Sequence, residues 1–145
     1  MFKDLKVLEL SSVLAGPAVG MFFSELGASV LKVENKLTGG DVTRNWKLPI
    51  EKENELSAYF SSVNYKKTHV FLDFNSEIDR KELNQLIKSC DIIITNHVCD
   101  QTKRSLVRIP QRPNVFLLLF YVFVCDGGVK QSGKATFGPA MPQAL

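Results

Sequence analysis

Three things are scarce in this 145-residue chain: metal-type ligand spacing, glycine-rich nucleotide fingerprints and long apolar runs. Its three cysteines, Cys90, Cys99 and Cys125, are odd in number and form no CxxC pair, and its two histidines, His69 and His97, stand alone. A disulfide framework or a structural zinc site needs more ligands at closer spacing, so thiols in a reducing cytoplasm and no metal are expected. The densest apolar run, Val115–Val124, is half of what a helix needs to cross a bilayer, about 20 residues. Lys3, Asp4 and Lys6 interrupt any secretory leader. No membrane partner is expected, and the chain is assigned to the cytoplasm.

Charge is ordinary in amount and uneven in placement. Residues 1–100 carry 12 Lys and Arg against 14 Asp and Glu, whereas residues 101–145 carry 6 against 1. The reversal marks a boundary. The basic stretch "TKRSLVRIPQR" lacks the aromatic interleaving of a nucleic-acid surface, so no nucleic acid is expected.

What is present up to residue 97 is an alternation of strands and helices. "LKVLEL" (5–10), "SVLKVE" (29–34), "HVFLDF" (69–74) and "DIIITN" (91–96) read as strands, the last as a continuous apolar run suited to a buried parallel sheet. Between the first two, Gly16-Pro17 opens a helix and Gly27 closes it, with Val19, Phe22, Phe23 and Leu26 on one apolar face. "NELSAYFSSVN" holds a short helix. "NSEIDRKELNQLIKSC" holds a longer one, capped by Ser76 or Asn75, with Ile78, Leu83, Leu86 and Ile87 as its apolar face. Phe22, Phe23, Phe60, Phe71 and Phe74 are expected in the core. The pattern predicts an α/β fold: a Rossmann-like parallel sheet with helices on both faces. Ligands in such sheets sit at the carboxyl ends of the strands, which here carry 11–17, 34–36, 74–76 and 95–97. Glu34 mimics a ribose-binding acid, but no GxGxxG precedes it, so the nicotinamide alternative is discounted.

In order, "VLEL", "LAGP", "LGASVLKVE", "GGDVTR", "NYKKTHVFLDF" and "LIKSCDIIITN" resemble the N-terminal part of the class III CoA-transferases (CaiB/BaiF type), which include formyl-CoA and carnitine CoA-transferases and α-methylacyl-CoA racemase. The resemblance covers residues 2–96. It implies an incomplete piece of the family's large domain over residues 1–97, and an interlocked homodimer in the complete protein. The reaction it implies moves coenzyme A from an acyl-CoA thioester to a small carboxylic acid through an aspartyl-CoA intermediate. Acyl-CoA racemisation is the alternative within the family; a nucleotide-binding module without catalysis is the alternative outside it.

After Asn96 the family's N-F/Y-x-P-G continuation is replaced by "HVCDQTKRSL". Residues 98–145 are read as an atypical basic tail, frame-shifted or disordered. The catalytic aspartate is carried onto no residue, Asp126 in "CDGG" included, and this chain is expected to be inactive alone. For coenzyme A the resemblance implies a lining loop of Ser12, Val13, Leu14 and Ala15, with Lys36, Arg44, Lys67 and Asn96 at the rim. The residues themselves leave bland alternatives open: a strand-to-helix connection with a serine cap, a solvated Lys36, an Arg44–Asp41 pair holding the loop, and Asn96 capping a turn. Thr68 stands where the family usually has arginine.

Overall fold

β-branched and leucine-rich segments form the strands, and small or polar residues punctuate them. The computed structural model describes residues 1–96 and the backbone of 116–119; the basic stretch, Cys99, Cys125 and Asp126 lie outside the described residues. The order is β1 (Lys6–Leu10), α1 (Ala15–Glu25), β2 (Ser29–Asn35), α2 (Ala58–Asn64), β3 (Thr68–Leu72), α3 (Glu77–Ser89), β4 (Ile92–Thr95) and β5 (Phe116–Leu119). Short 3-10 turns at Lys36–Thr38 and Val42–Asn45 lie between β2 and α2.

All strand pairs are parallel, in the order β3-β2-β1-β4-β5. The chain runs outward from β1 to β3 and then returns past β1 to β4. Right-handed crossovers in opposite directions place helices on opposite faces. One face packs Leu8, Leu10, Val33, Leu72 and Ile93 against Leu83 and Ile87 of α3. The other packs Val7, Val30 and Ile94 with Val19 and Phe23 of α1. This is the parallel α/β sheet, covered on both faces, that the alternation predicts. The reversal between β1 and β4 is the topological switch point, where such folds open their ligand crevice.

The ends of the helices follow local chemistry. Gly27 takes the left-handed conformation, φ 95°, just past α1, as expected for a closing glycine. Ser76 caps α3 by accepting from the Asp79 N–H, with Glu77 and Asp79 in the first turn and Lys88 in the last, the charge order a helix dipole favours.

The structure corrects four expectations. The sequence predicts four strands; Phe116–Leu119, from the apolar run placed outside the sheet, adds a fifth, running from Ile92↔Phe116 to Thr95↔Leu119 beside β4. Phe22 is 56% exposed, because α1 turns its stripe of small residues, Gly16, Gly20 and Ser24, inward instead. Phe71 is 41% exposed on the edge strand β3. Ile78 is 77% exposed; five residues of helix set it about 140° away from Leu83, off the buried face. Phe60 is buried, and Phe23 and Phe74 are partly buried against the two cores.

These placements predict unequal costs for truncating two isoleucines of α3. Ile87→Ala should lose about 2–5 kcal/mol, and Ile78→Ala no more than about 0.5 kcal/mol. Urea unfolding midpoints of the two variants measure the difference; equal losses would contradict the orientation of α3.

Candidate functional site

β1 and β4 pair in parallel up to Leu10 and Thr95, and the loop after β1 begins at their carboxyl ends. Ser12 and Asn96, expected near one ligand, are brought together. The Ser12 N–H donates to Asn96 Oδ1 at 3.0 Å, and Asn96 Nδ2 donates to Ser12 O at 2.6 Å. Asn96 thus clamps the backbone of Ser12 at both its N–H and its C=O.

The next residue, Val13, has φ 69°. Val13 and Lys66 are the two non-glycine residues with left-handed φ among the described residues. For a β-branched side chain this conformation is strained by about 1–3 kcal/mol, and such strain gathers at functional sites. The Val13 N–H points to both oxygens of Asp41, at 3.3 Å each. Leu14 is the N-cap of α1 and offers no capping side chain. The serine cap is therefore not used; the N–H groups of Ala15 and Gly16 lie in the first turn without intrahelical partners, and Pro17 lacks one. Free donors at a helix start, with its dipole, favour an anion.

Beneath this loop lies a chain of buried charges. Glu9 and Lys32 face each other across β1 and β2, and their side chains are fully buried. Lys32 Nζ lies 2.8 Å from Glu9 Oε1 and 3.1 Å from Asp41 Oδ2, and donates to Ser11 O at 2.6 Å. Lys67 Nζ lies 2.7 Å from Glu9 Oε2, an ion contact without hydrogen-bond alignment. It also donates to Pro17 O at 2.7 Å and Asn64 Oδ1 at 3.0 Å. Two cations and two anions balance. Gly20 makes the arrangement possible: a Cβ there would fall on the Glu9 carboxylate, so only glycine lets α1 cross directly over the ions. Burial pushes the Lys67 ammonium down to about 8, against the pull of Glu9. Burial would raise Asp41, but the Lys32 charge and the Thr43 hydrogen bonds hold it below its ordinary value.

A second cluster closes the turn after β2. Arg44 grips Glu34 with two bonds, Nε to Oε2 at 2.7 Å and a terminal guanidinium nitrogen to Oε1 at 2.6 Å. His69 Nδ1 lies 2.8 Å from Glu34 Oε1, and the Asp41 N–H donates to Glu34 Oε2 at 2.8 Å. The partner of the Arg44 side chain is Glu34, not Asp41. Burial would raise Glu34, but Arg44, His69 and the Asp41 N–H outweigh it and hold the carboxyl well below its ordinary value. Glu34 is thereby committed inside the fold, which leaves it no free oxygen for a ribose.

The expected site residues therefore divide by position. Ser12, Val13, Leu14, Ala15 and Asn96 form the switch-point loop, and Lys36 is exposed just beyond β2. Arg44 and Lys67 act from beneath, with the Lys67 ammonium held inside the fold by the Glu9 carboxylate, Pro17 O and Asn64 Oδ1. Glu9 and Lys32 were not anticipated. Their signal was two opposite charges at paired positions of otherwise apolar strands. No helix among the described residues is long and apolar enough to cross a membrane.

The family model for CoA-transferase family III matches residues 2–113. The succinate–glutarate CoA-transferase of Agrobacterium fabrum is 35% identical over 96 residues, covering 63% of this chain and 24% of its own. The succinyl-CoA:mesaconate CoA-transferase of Haloarcula hispanica is 38% identical over 96 residues, covering 64% and 24%. A solved CaiB/BaiF family protein from Brucella suis superposes with a TM-score of 0.60 at 41% identity, over 66% of this chain and 25% of that one. The chain spans about a quarter of the length of these relatives.

The depressed carboxyls set a pH dependence. A carboxyl lowered on folding stabilises the fold fully above its ordinary value, 4.5 for Glu34 and 3.8 for Asp41, and that stability is lost as pH falls below it. Urea midpoints should therefore drop steeply on acidification from pH 5 toward pH 2. Glu34→Gln should be less stable at pH 7 and show a shallower acid limb; an acid limb as steep as wild type would contradict the role of Glu34.

Proposed function

Since the chain belongs to CoA-transferase family III, we propose that its described residues form the first wall of a coenzyme A site. The complete enzyme, an interlocked cytoplasmic homodimer, transfers coenzyme A from an acyl-CoA to a small carboxylic acid. The observation that carries the assignment is the Ser12–Asn96 clamp at the β1/β4 switch point, beside an α-helical N-terminus with unpaired donors. Coenzyme A brings a pyrophosphate and a 3′-phosphate. The N–H groups of Ala15 and Gly16 suit one such anion, and Lys36 supplies a solvent-facing cation on the same strand-end rim. The Ser12 hydroxyl and the exposed Leu14 side chain face the pantetheine arm in this reading.

The transfer itself belongs to an aspartate outside these residues. Its carboxylate attacks the thioester carbonyl and expels the coenzyme A thiolate, leaving an acyl-aspartyl anhydride. The thiolate then attacks the aspartyl carbonyl, releasing the first acid and leaving an aspartyl-CoA thioester for the acceptor carboxylate. The 145 residues alone bind without turnover. Support comes from the relatives, each named a CoA-transferase and about four times longer than the matched segment.

Calorimetric titration of the purified chain with coenzyme A and with NAD tests this assignment. Saturable heat with coenzyme A and none with NAD is expected. Asn96→Ala, which removes both clamp bonds, should bind about tenfold more weakly with an unchanged far-UV spectrum. Binding of NAD without coenzyme A would overturn the assignment. Acyl exchange by the chain alone would overturn its inactivity.

A further inference from the structure

We propose that Asp41 is a positioning residue, which sets the 11–15 loop in its ligand-ready shape before any ligand arrives; this rests on the coenzyme A assignment above. A valine at φ 69° does not hold itself there, and a glycine would adopt that conformation without strain. The tether is the Asp41 carboxylate, whose two oxygens share the Val13 N–H at 3.3 Å.

The carboxylate is itself held from several directions. Lys32 Nζ is 3.1 Å from Oδ2, and the Thr43 N–H and Oγ1 donate to Oδ1 at 3.1 and 2.8 Å. The Asp41 main chain is anchored separately, through its N–H to Glu34. Asp41 is 4% exposed, so solvent does not compete for these bonds.

The loop therefore has two independent tethers on consecutive residues. Asn96 fixes Ser12 from β4, and Asp41 fixes Val13 from the turn after β2. Together they aim the first turn of α1 at the crevice. A site assembled in advance loses less ordering entropy on binding, so a broken tether should appear as weaker affinity rather than as an altered fold.

The test uses the 145-residue chain, with Val13 amide exchange by NMR and calorimetric titration with coenzyme A. In Asp41→Asn, Val13 exchange should speed up at least tenfold and affinity fall about tenfold, with exchange in α3 and β4 unchanged. Adding Val13→Gly to Asp41→Asn should recover much of the affinity, because glycine enters the left-handed turn without the strain that the tether offsets for valine. A change that merely loosened the fold would not be rescued in this way. Wild-type exchange at Val13 in Asp41→Asn, or lost affinity that Val13→Gly does not recover, overturns the proposal. Should Asp41→Asn fail to fold, Thr43→Val removes one orienting hydroxyl and keeps the carboxylate; about threefold changes in the same directions are expected, and none would overturn it. If the wild-type chain does not bind coenzyme A, the site assignment falls, while Val13 exchange still decides the role of Asp41.

Discussion

A lysine ammonium sealed inside a parallel sheet is the constraint around which the rest of this structure is arranged. Removing a charge from water costs several kcal/mol even after the protein relaxes, and good geometry must offset it. Lys32 meets that demand with Glu9, Asp41 and the Ser11 carbonyl, which match its three donors. Each partner comes from a different piece of chain: the end of β1, the turn after β2 and the start of the switch-point loop. The ammonium thus ties three backbone segments to one point, and the loop rests on a charged floor. Replacing the whole network by well-packed apolar residues would be no less stable, by general experience with buried ion pairs. What the ions provide is directional: bonds that define where the loop sits.

The same constraint accounts for the form of α1. A helix crossing buried carboxylates must come close without blocking them, and the small stripe Gly16, Gly20 and Ser24 does this. The larger Phe22 is thereby turned outward. Lys67 completes the balance by bonding Glu9 from below and the Pro17 carbonyl from inside the first turn of α1. Arg44 and Glu34 repeat the motif one layer out and hold the turn that delivers Asp41. The switch-point loop and the charged groups beneath it are therefore one continuous polar structure.

Much of this was legible from the residues. Periodicity located the first four strands and the helices α1 and α3 to within about two residues, because apolar alternation and cap chemistry are local; it placed α2 only within residues 54–64, where the helix begins at Ala58. The ordered motifs pointed to the family, and the Ser12 loop and Asn96 to one place. The fates of Arg44 and Lys67 were not legible: a cation near a strand end looks the same whether it faces a phosphate or a buried carboxylate. That choice depends on cross-strand register, which pairs Glu9 with Lys32 and Glu34 with Phe71. Ile78 was misplaced by counting apolar residues without their helical angle, and Phe22 by overlooking that small residues can form the buried stripe. The strand at Phe116–Leu119 was hidden because a short apolar run after a change in charge carries no register information of its own.

A double-mutant cycle on the central ion pair is the most direct measure of the whole account. Glu9→Gln, Lys32→Met and the double variant would be compared with wild type by urea unfolding at pH 7. Each single change strands a buried partner and should cost about 3–5 kcal/mol. The double variant should cost less than the sum of the two by about 2 kcal/mol or more. Additive losses would mean that Glu9 and Lys32 do not depend on each other, and that the loop has no charged floor.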